Sequence, residues 1–440
     1  MSIISFLLML MTCFCYSVWC HDCLRHPLFS TKTPYNLVSN NNTNVTIIPG
    51  CQVVQINMVH RHGHRYPSKE DISSMKHLFN LLQFAEKVLV QSNISIPNKV
   101  PFIVKHEKLL NQVGEKDLYN IGKRIHKRFP HLFNKGYSSD LFKFVSSCKT
   151  RCLQSSSALA SGLFEGIGSL GACRFQPVSI ESQSCHQDQL LRFFDLCHKY
   201  IVDVKNSSLS LEEMKLFGKS SEIAEIIQKI KKKLGLSQIV TEKHLEALYL
   251  YCAYEIGIFN GSFITGLCSL FDQEDLHVLE YYLDLKHYYR RSKGFSVTYE
   301  SSCPLLVDFI SSLKMATLDK RKFFKGIFRS SHAETIIPFV TLLRLNLDVT
   351  KLTAKNFNEM KSREFRPSCI SPFSGNVYFV LYDCGSKKHK IQLYMNEYLV
   401  RIPCCESKYE CDFETFLKCY ESIVDNCNFN EICSLKKTEL

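Results

Sequence analysis

Val53-Val54-Gln55-Ile56-Asn57-Met58-Val59-His60-Arg61-His62-Gly63-His64-Arg65-Tyr66-Pro67 decides how the rest of the chain is read. Its first seven residues are apolar and β-branched for their length, the composition of a buried strand. They run directly into Arg61-His62-Gly63, which puts charged residues at the carboxyl end of a buried strand, the place where open α/β sheets hold ligands. Downstream, a second buried strand fits residues 322–330, and Ser331-His332-Ala333-Glu334 follows it into a helical run over 335–345. Two further β regions, 377–382 and 391–402, flank the turn-like Gly385-Ser386-Lys387-Lys388 and complete the sheet. Upstream, residues 36–49 are polar and Asn-rich, a surface arm.

Between residues 155 and 312 the periodicity turns helical, as in Ile223, Ile226, Ile227, Ile230 and Leu234. Glu222 and Glu225 come early there and Lys231 to Lys233 late, in the order that suits the helix dipole, with Gly235 as a cap. The expected fold class is therefore α/β, a mixed central sheet flanked by helices with an inserted, mostly helical second lobe. The expected division is a leader over 1–20, an α/β domain over 21–154 and 313–436, the helical lobe over 155–312, and a tail at 437–440.

The chain has 440 residues, 45% apolar and 22% charged, enough for one large domain or two intimate ones. Its net charge of +12 comes without a Lys or Arg block that reads as a nucleic-acid stripe, which leaves an ordinary solvated surface or a field that steers polyanionic small molecules. Residues 3–19 are apolar and uncharged and give way to polar sequence at His21, the pattern of a signal peptide. A retained anchor is the alternative, on a run that is short for a span, and no later stretch is apolar enough to cross a bilayer.

Three of the 21 cysteines fall in the leader, and the remaining 18 read as disulfides. Adjacent Cys404 and Cys405 suit bridges to different partners better than a metal knuckle. Asn41, Asn44, Asn93, Asn206 and Asn260 each open a glycosylation sequon. The final Lys437-Thr438-Glu439-Leu440 differs by one residue from the Lys-Asp-Glu-Leu address that a retention receptor in the endoplasmic reticulum reads. Residence in that lumen and simple secretion are the two localisations these features allow.

Arg61, His62, Gly63, Arg65 and Pro67 match Arg-His-Gly-x-Arg-x-Pro, five fixed residues in seven, for which a chance match is on the order of 10⁻⁴. A phosphate monoester needs planar, bidentate cations around its oxygens, which arginine supplies, while a neutral imidazole attacks phosphorus in line. Guanidinium charge nearby disfavours imidazolium and keeps His62 nucleophilic below neutral pH. Arg151, in Ser147-Cys148-Lys149-Thr150-Arg151-Cys152, lies between a strand-like segment and a helix start. His332 can add a donor to the phosphate, and Glu334 a proton to the departing oxygen. Taken alone, each of these last three is more ordinary as a surface ion pair, a core histidine or an N-terminal helix glutamate.

The alternation of His60, His62 and His64 also raises a metal site, which a strand continuing through Gly63 would require. A non-catalytic phosphate-binding protein is the other rival, and the intact His62 and Glu334 argue against it.

Together these motifs resemble the histidine acid phosphatases, branch 2 of the histidine phosphatases. His332-Ala333-Glu334-Thr335, in place of His-Asp, is similar to the multiple inositol polyphosphate phosphatases. Leu285-Lys286-His287-Tyr288-Tyr289, Cys303-Pro304-Leu305-Leu306, Leu381-Tyr382-Asp383-Cys384-Gly385 and Asn396-Glu397 carry the likeness further. The resemblance implies no metal cofactor, a phosphohistidine intermediate, and inositol polyphosphates or 2,3-bisphosphoglycerate as substrates, with a general secreted acid phosphatase as the alternative. It also implies that Arg61, Arg65, Arg151 and His332 hold the phosphate, that His62 attacks, and that Glu334 donates the proton. His64 departs from the subgroup, where a small residue is usual, and Ser331 stands where Gly is common. His64 would crowd the phosphate, add a titrating group, or point away. Lys69 is a solvated lysine or a contact for outer phosphates.

Overall fold

A computed structural model of the chain describes residues 29–435 except 43–47, 86–87, 89–93, 95–98, 260–265, 319–321, 346–347 and 408. The expected leader, the tail, and the sequons at Asn44, Asn93 and Asn260 lie outside the described residues, whereas Asn41 and Asn206 are exposed.

The strands are β1 (Gln52–Arg61), β2 (Phe142–Ser146), β3 (Glu181–Ser182), β4 (Gly326–Ser331), β5 (Asn376–Asp383), β6 (His389–Met395), β7 (Tyr398–Val400) and β8 (Cys411–Asp412). They form one mixed sheet in the order β3-β2-β4-β1-β5-β6-β7, with β8 on β6. The parallel half is β3, β2, β4 and β1, and β5 joins β1 antiparallel. Both faces are covered, as a sheet with parallel centre strands requires. On β5, Val377, Phe379 and Leu381 enter one core and Tyr378, Val380 and Tyr382 the other, the two-residue period of a strand.

Helices α1 (Lys69–Leu82), α2 (Gln112–Arg128) and α3 (Thr150–Phe164) follow β1 and β2. The helical lobe includes α4 (Ser221–Leu234), α5 (Glu242–Phe259) and α6 (Gln273–Arg291). In α4 the expected signals work as read: Ser220 caps the start, Ile223, Ile226, Ile230 and Leu234 are buried, and Gly235 ends the helix at φ 59°. The chain returns to the sheet through α7 (Cys303–Ala316), β4 and α8 (Ala333–Leu342), and α9 (Phe413–Asp425) closes the far side.

Four expectations shift. The boundary at 155 falls inside α3, whose Leu159 and Leu163 share a core with Ile121 and Ile125 of α2, and residues 181–182 still pair in the sheet. The boundary at 312–313 likewise falls inside α7, where the Phe309 and Ser312 carbonyls accept from Asn57 and Gln55 of β1. The strand expected from 322 begins only at Gly326, because there both neighbours become available, Ile56 on one side and Phe142 on the other. Residues 391–402 are two strands rather than one: Asn396 and Glu397 adopt φ of 48° and 69°, the left-handed pair of a tight hairpin turn. The buried Glu397 carboxylate is fixed there by Arg124 and Arg128.

Seven disulfides lie among the described residues, and Cys404 and Cys405 do pair with different partners, Cys419 and Cys411. Cys152, buried, and Cys173, exposed, are free. No helix among the described residues is long and apolar enough to cross a membrane.

Candidate active site

Two adjacent parallel strands deliver two histidines to one place. Arg61 of β1 pairs in register with Ser331 of β4, so His62 and His332 are each the first residue past a strand end. Backbone bonds fix that register: His62 N–H donates to the Ser331 carbonyl at 3.0 Å, and Ser374 N–H donates to the His62 carbonyl at 3.0 Å. The two imidazole centroids are 5.6 Å apart, edge to face.

The turn after His62 is held by an unusually close backbone approach. A Cβ on Gly63 would lie 2.4 Å from the Gly114 carbonyl oxygen, and one on Gly114 would lie 2.3 Å from His64 N, so only glycines let the first turn of α2 sit on this loop. Asn111 caps α2 through the Gly114 N–H and also donates from Nδ2 to His64 Nδ1 at 2.9 Å. Gly63 N–H donates to Ser155 Oγ at 2.9 Å, and that hydroxyl donates to the Arg151 carbonyl, so the helix carrying Arg151 is tied directly to the His62 loop. The Cys148–Cys185 disulfide pins the same helix start to the segment that leads to Arg192.

His62 Nδ1 lies 2.9 Å from the Gly63 carbonyl oxygen, an acceptor only, so Nδ1 carries the proton and Nε2 keeps its lone pair. Burial holds the imidazole neutral first, and Arg151, Arg61, His332 and Arg65 add to it, placing its pKa well below that of a free histidine. Burial therefore outranks the arginine charges that the sequence suggested as the cause.

Arg61 donates to the Thr31 and Ser371 carbonyls at 2.6 and 2.8 Å and stacks on Phe373, with 4.4 Å from its central carbon to the ring centroid. Arg65 donates to the Tyr66 carbonyl and reaches Tyr254 Oη at 3.4 Å. His332 Nε2 lies 2.8 Å from Ser147 Oγ and 2.9 Å from Arg192 Nη1, while Nδ1 lies 3.3 Å from Arg151 Nη2. Burial and then these guanidinium groups push its pKa well down, with Glu334 opposing. Among the described residues, Arg61, Arg65 and Arg151 have no carboxylate as an ion-pair partner.

All six residues singled out from the sequence for phosphate chemistry thus converge: Arg61, His62, Arg65, Arg151, His332 and Glu334. Glu334 is in the first turn of α8, and its Oε1 meets Arg291 Nη2 at 2.5 Å. A cavity of about 230 Å³ opens beside it, lined among others by Arg192, Tyr200, Lys205 and Arg290.

Those residues, with Arg291, were not found from the sequence; they lie on irregular segments or at a helix end, where no motif marks them. Lys32 was missed as well. It comes from the segment before the first strand, where Ser30 Oγ donates to Asp284 and the Thr31 carbonyl accepts from Arg61. Burial and then Arg65, with Arg61 and Lys286 also contributing, bring the Lys32 ammonium down to about 7 against the pull of Asp71. Lys69, by contrast, is exposed.

The His64 ring lies 4.4 Å from the Phe373 centroid, edge-on to Tyr254 of α5. A Cβ on Gly257 of α5 would come within 2.2 Å of His64 Nε2, so the helix is notched to receive this ring. Burial, then Arg65 and Arg61, lower the His64 pKa to about 3. β1 ends at Arg61, so His60, His62 and His64 do not share a strand face. No cluster of three or more His, Cys, Asp or Glu suited to a metal occurs among the described residues.

Residues 52–401 match the family model of the histidine phosphatase superfamily, branch 2. Multiple inositol polyphosphate phosphatase 1 of Dictyostelium discoideum is 31% identical over 88% of this chain and 68% of that protein. The Gallus gallus protein of the same name is 30% identical over 88% of this chain and 85% of its own length. Among solved structures, the phytase from D. castellii superposes with a TM-score of 0.74 at 19% identity, covering 95% of this chain and 88% of that one. The Bifidobacterium longum multiple inositol polyphosphate phosphatase, in complex with inositol hexasulfate, gives 0.65 at 17% identity, with coverage of 89% and 97%. At such identities the two structures speak for the fold alone.

Proposed function

The chain belongs to branch 2 of the histidine phosphatase superfamily, and from that premise we propose that it hydrolyses inositol polyphosphates through a phosphohistidine on His62. One observation carries the reading: a buried, neutral imidazole with Nδ1 committed to the Gly63 carbonyl and Nε2 free, with Arg151, Arg61 and Arg65, none of them ion-paired to a carboxylate among the described residues, close enough to depress its pKa. A phosphoryl group there is held by Arg61, Arg65, Arg151 and His332, with Arg192 behind His332. Nε2 attacks phosphorus, the P–O bond to the ring breaks, and Glu334 protonates the departing oxygen. Water then attacks the phosphohistidine, the N–P bond breaks, and the Glu334 carboxylate takes the proton of that water.

The surroundings favour a substrate bearing several phosphates over a simple monoester. Lys32, Lys205, Arg290 and Arg291 add positive charge beside the phosphoryl pocket, more than one phosphate needs. The relatives' shared name, multiple inositol polyphosphate phosphatase, supports the same substrate class. Both histidines resist protonation, so the site stays competent in acid. The work belongs in the secretory lumen: the bridged cysteines support an oxidising compartment, and the leader and the Lys437–Leu440 tail agree with it.

His62→Ala is expected to abolish phosphate release from inositol hexakisphosphate and from 2,3-bisphosphoglycerate alike, measured as inorganic phosphate in acid buffer. Undiminished turnover in that variant would remove the mechanism.

A further inference from the structure

Glu334 has to be protonated when the leaving group departs, yet Arg291 and the charges around it favour the anion. Its carboxylate is clamped by Arg291, the last residue of α6, at 2.5 Å. Arg291 is itself tied by Nη1 to His287 Nδ1, and His287 Nε2 lies 3.2 Å from Thr31 Oγ1, whose backbone carbonyl accepts from Arg61. Arg291 Nε is buried without a partner. Burial alone would raise the Glu334 pKa, but Arg291, His332, its own backbone N–H and Arg61 outweigh burial and hold it well below the carboxylate range. Groups facing Glu334 also include Arg151, His287 and Tyr200. His332 and His287 are pushed well below the ordinary histidine pKa and Tyr200 above its own, so none of them titrates in weak acid.

One cavity of about 230 Å³, room for about seven waters, is lined by Arg151, His332 and Glu334 of the phosphoryl site and also by Arg291, Arg290, Lys205, Tyr200 and Asp195, so a second anion on the Arg291 side shares the space of the first. We propose that Arg291 couples a second anionic subsite to the chemistry: a neighbouring phosphate of the substrate draws the guanidinium off Glu334, which then takes a proton from solvent and is armed as the acid. Resting on the reading of Glu334 as proton donor, this makes additional phosphates accelerate turnover and not only binding. A lone monoester fills the phosphoryl pocket but leaves Arg291 on Glu334. Its alkoxide must then leave unprotonated. A substrate with a phosphate on the adjoining carbon supplies both anions at once.

The test is a pair of pH–kcat profiles, for inositol hexakisphosphate and for glycerol 2-phosphate, an alkyl monoester with an equally poor leaving group. In the unmodified enzyme the alkaline limb for the hexakisphosphate is expected about one pH unit or more above that for the monoester. In Arg291→Met, kcat for glycerol 2-phosphate near pH 5 rises about tenfold and its limb moves up to meet the other, while KM for the hexakisphosphate increases. Arg291→Lys keeps the charge and restores the separation of the limbs. Superimposed limbs in the unmodified enzyme, or an Arg291→Met enzyme that loses kcat/KM on both substrates with no movement of either limb, overturn the coupling. Glu334→Gln separates this from failure of the underlying reading. If Glu334 is not the acid, the Arg291→Met gain persists in the double variant; if it is the acid, the gain disappears.

Discussion

Replacing His64 by alanine isolates what an unusual residue does inside the signature loop. The ring is fully buried, packs on Phe373 and Tyr254, and accepts from Asn111 at 2.9 Å. Removing a buried ring costs about 3–5 kcal/mol. Asn111 Nδ2, orphaned by the change, adds to that, while His64 Nε2, buried with no partner, returns about 1–3 kcal/mol of desolvation when it is deleted. The net loss near neutral pH is about 3 kcal/mol.

That loss depends on pH, and its sign is fixed by the folded-state pKa of about 3 against 6.5 for a free histidine. Between those values the unfolded chain binds a proton that the folded chain does not, so His64 contributes instability that grows as pH falls from 6.5 toward 3. At pH 4.5 that amounts to roughly 2.7 kcal/mol, from 1.36 kcal/mol per pH unit. His64→Ala is therefore expected to be clearly destabilised at pH 7.5 and nearly as stable as the parent at pH 4.5. Urea unfolding of both proteins with disulfides intact, at the two pH values, measures the difference, in which contributions from the other buried histidines cancel. A destabilisation independent of pH, or one larger in acid, would refute the reasoning.

Glu334→Gln should lower kcat for inositol hexakisphosphate by about 10²–10⁴, while aryl phosphates with acidic leaving groups lose far less; a uniform loss across a leaving-group series would count against proton donation. Gly63→Ala should cost about 1–3 kcal/mol and most of the turnover, because its methyl group lands 2.4 Å from the Gly114 carbonyl oxygen; parent-like kcat and urea midpoint together would contradict that close approach.

The site was legible where chemistry and periodicity coincide. Residues 53–59 read as buried strand because most positions are apolar, and a second strand ending in histidine was legible too, while the pairing of β1 with β4 that makes those ends neighbours was not. Arg192, Arg291 and Lys32 were not legible for a physical reason. Arg192 ends a loop that Asp188 caps, Arg291 ends a helix whose last turn ordinarily carries basic residues, and Lys32 sits in a short turn before the first strand. Only tertiary packing brings Arg192 and Arg291 to one cavity and Lys32 beside Arg61 and Arg65. The turn at Asn396 and Glu397 was hidden likewise, since its second position holds Glu where glycine is usual, and the buried ion pairs to Arg124 and Arg128 that hold it there come from a distant helix. The lobe boundaries expected at 155 and 312 fall inside helices because an amphipathic helix looks the same in sequence whether it packs on the sheet or on the second lobe.

The central claim is tested most directly by trapping the covalent intermediate. Enzyme mixed with ³²P-labelled inositol hexakisphosphate, quenched rapidly without acid and digested, should yield one acid-labile, alkali-stable labelled peptide containing His62, with the label on Nε2. Label on another residue, or full turnover with no covalent label at any quench time, would contradict it.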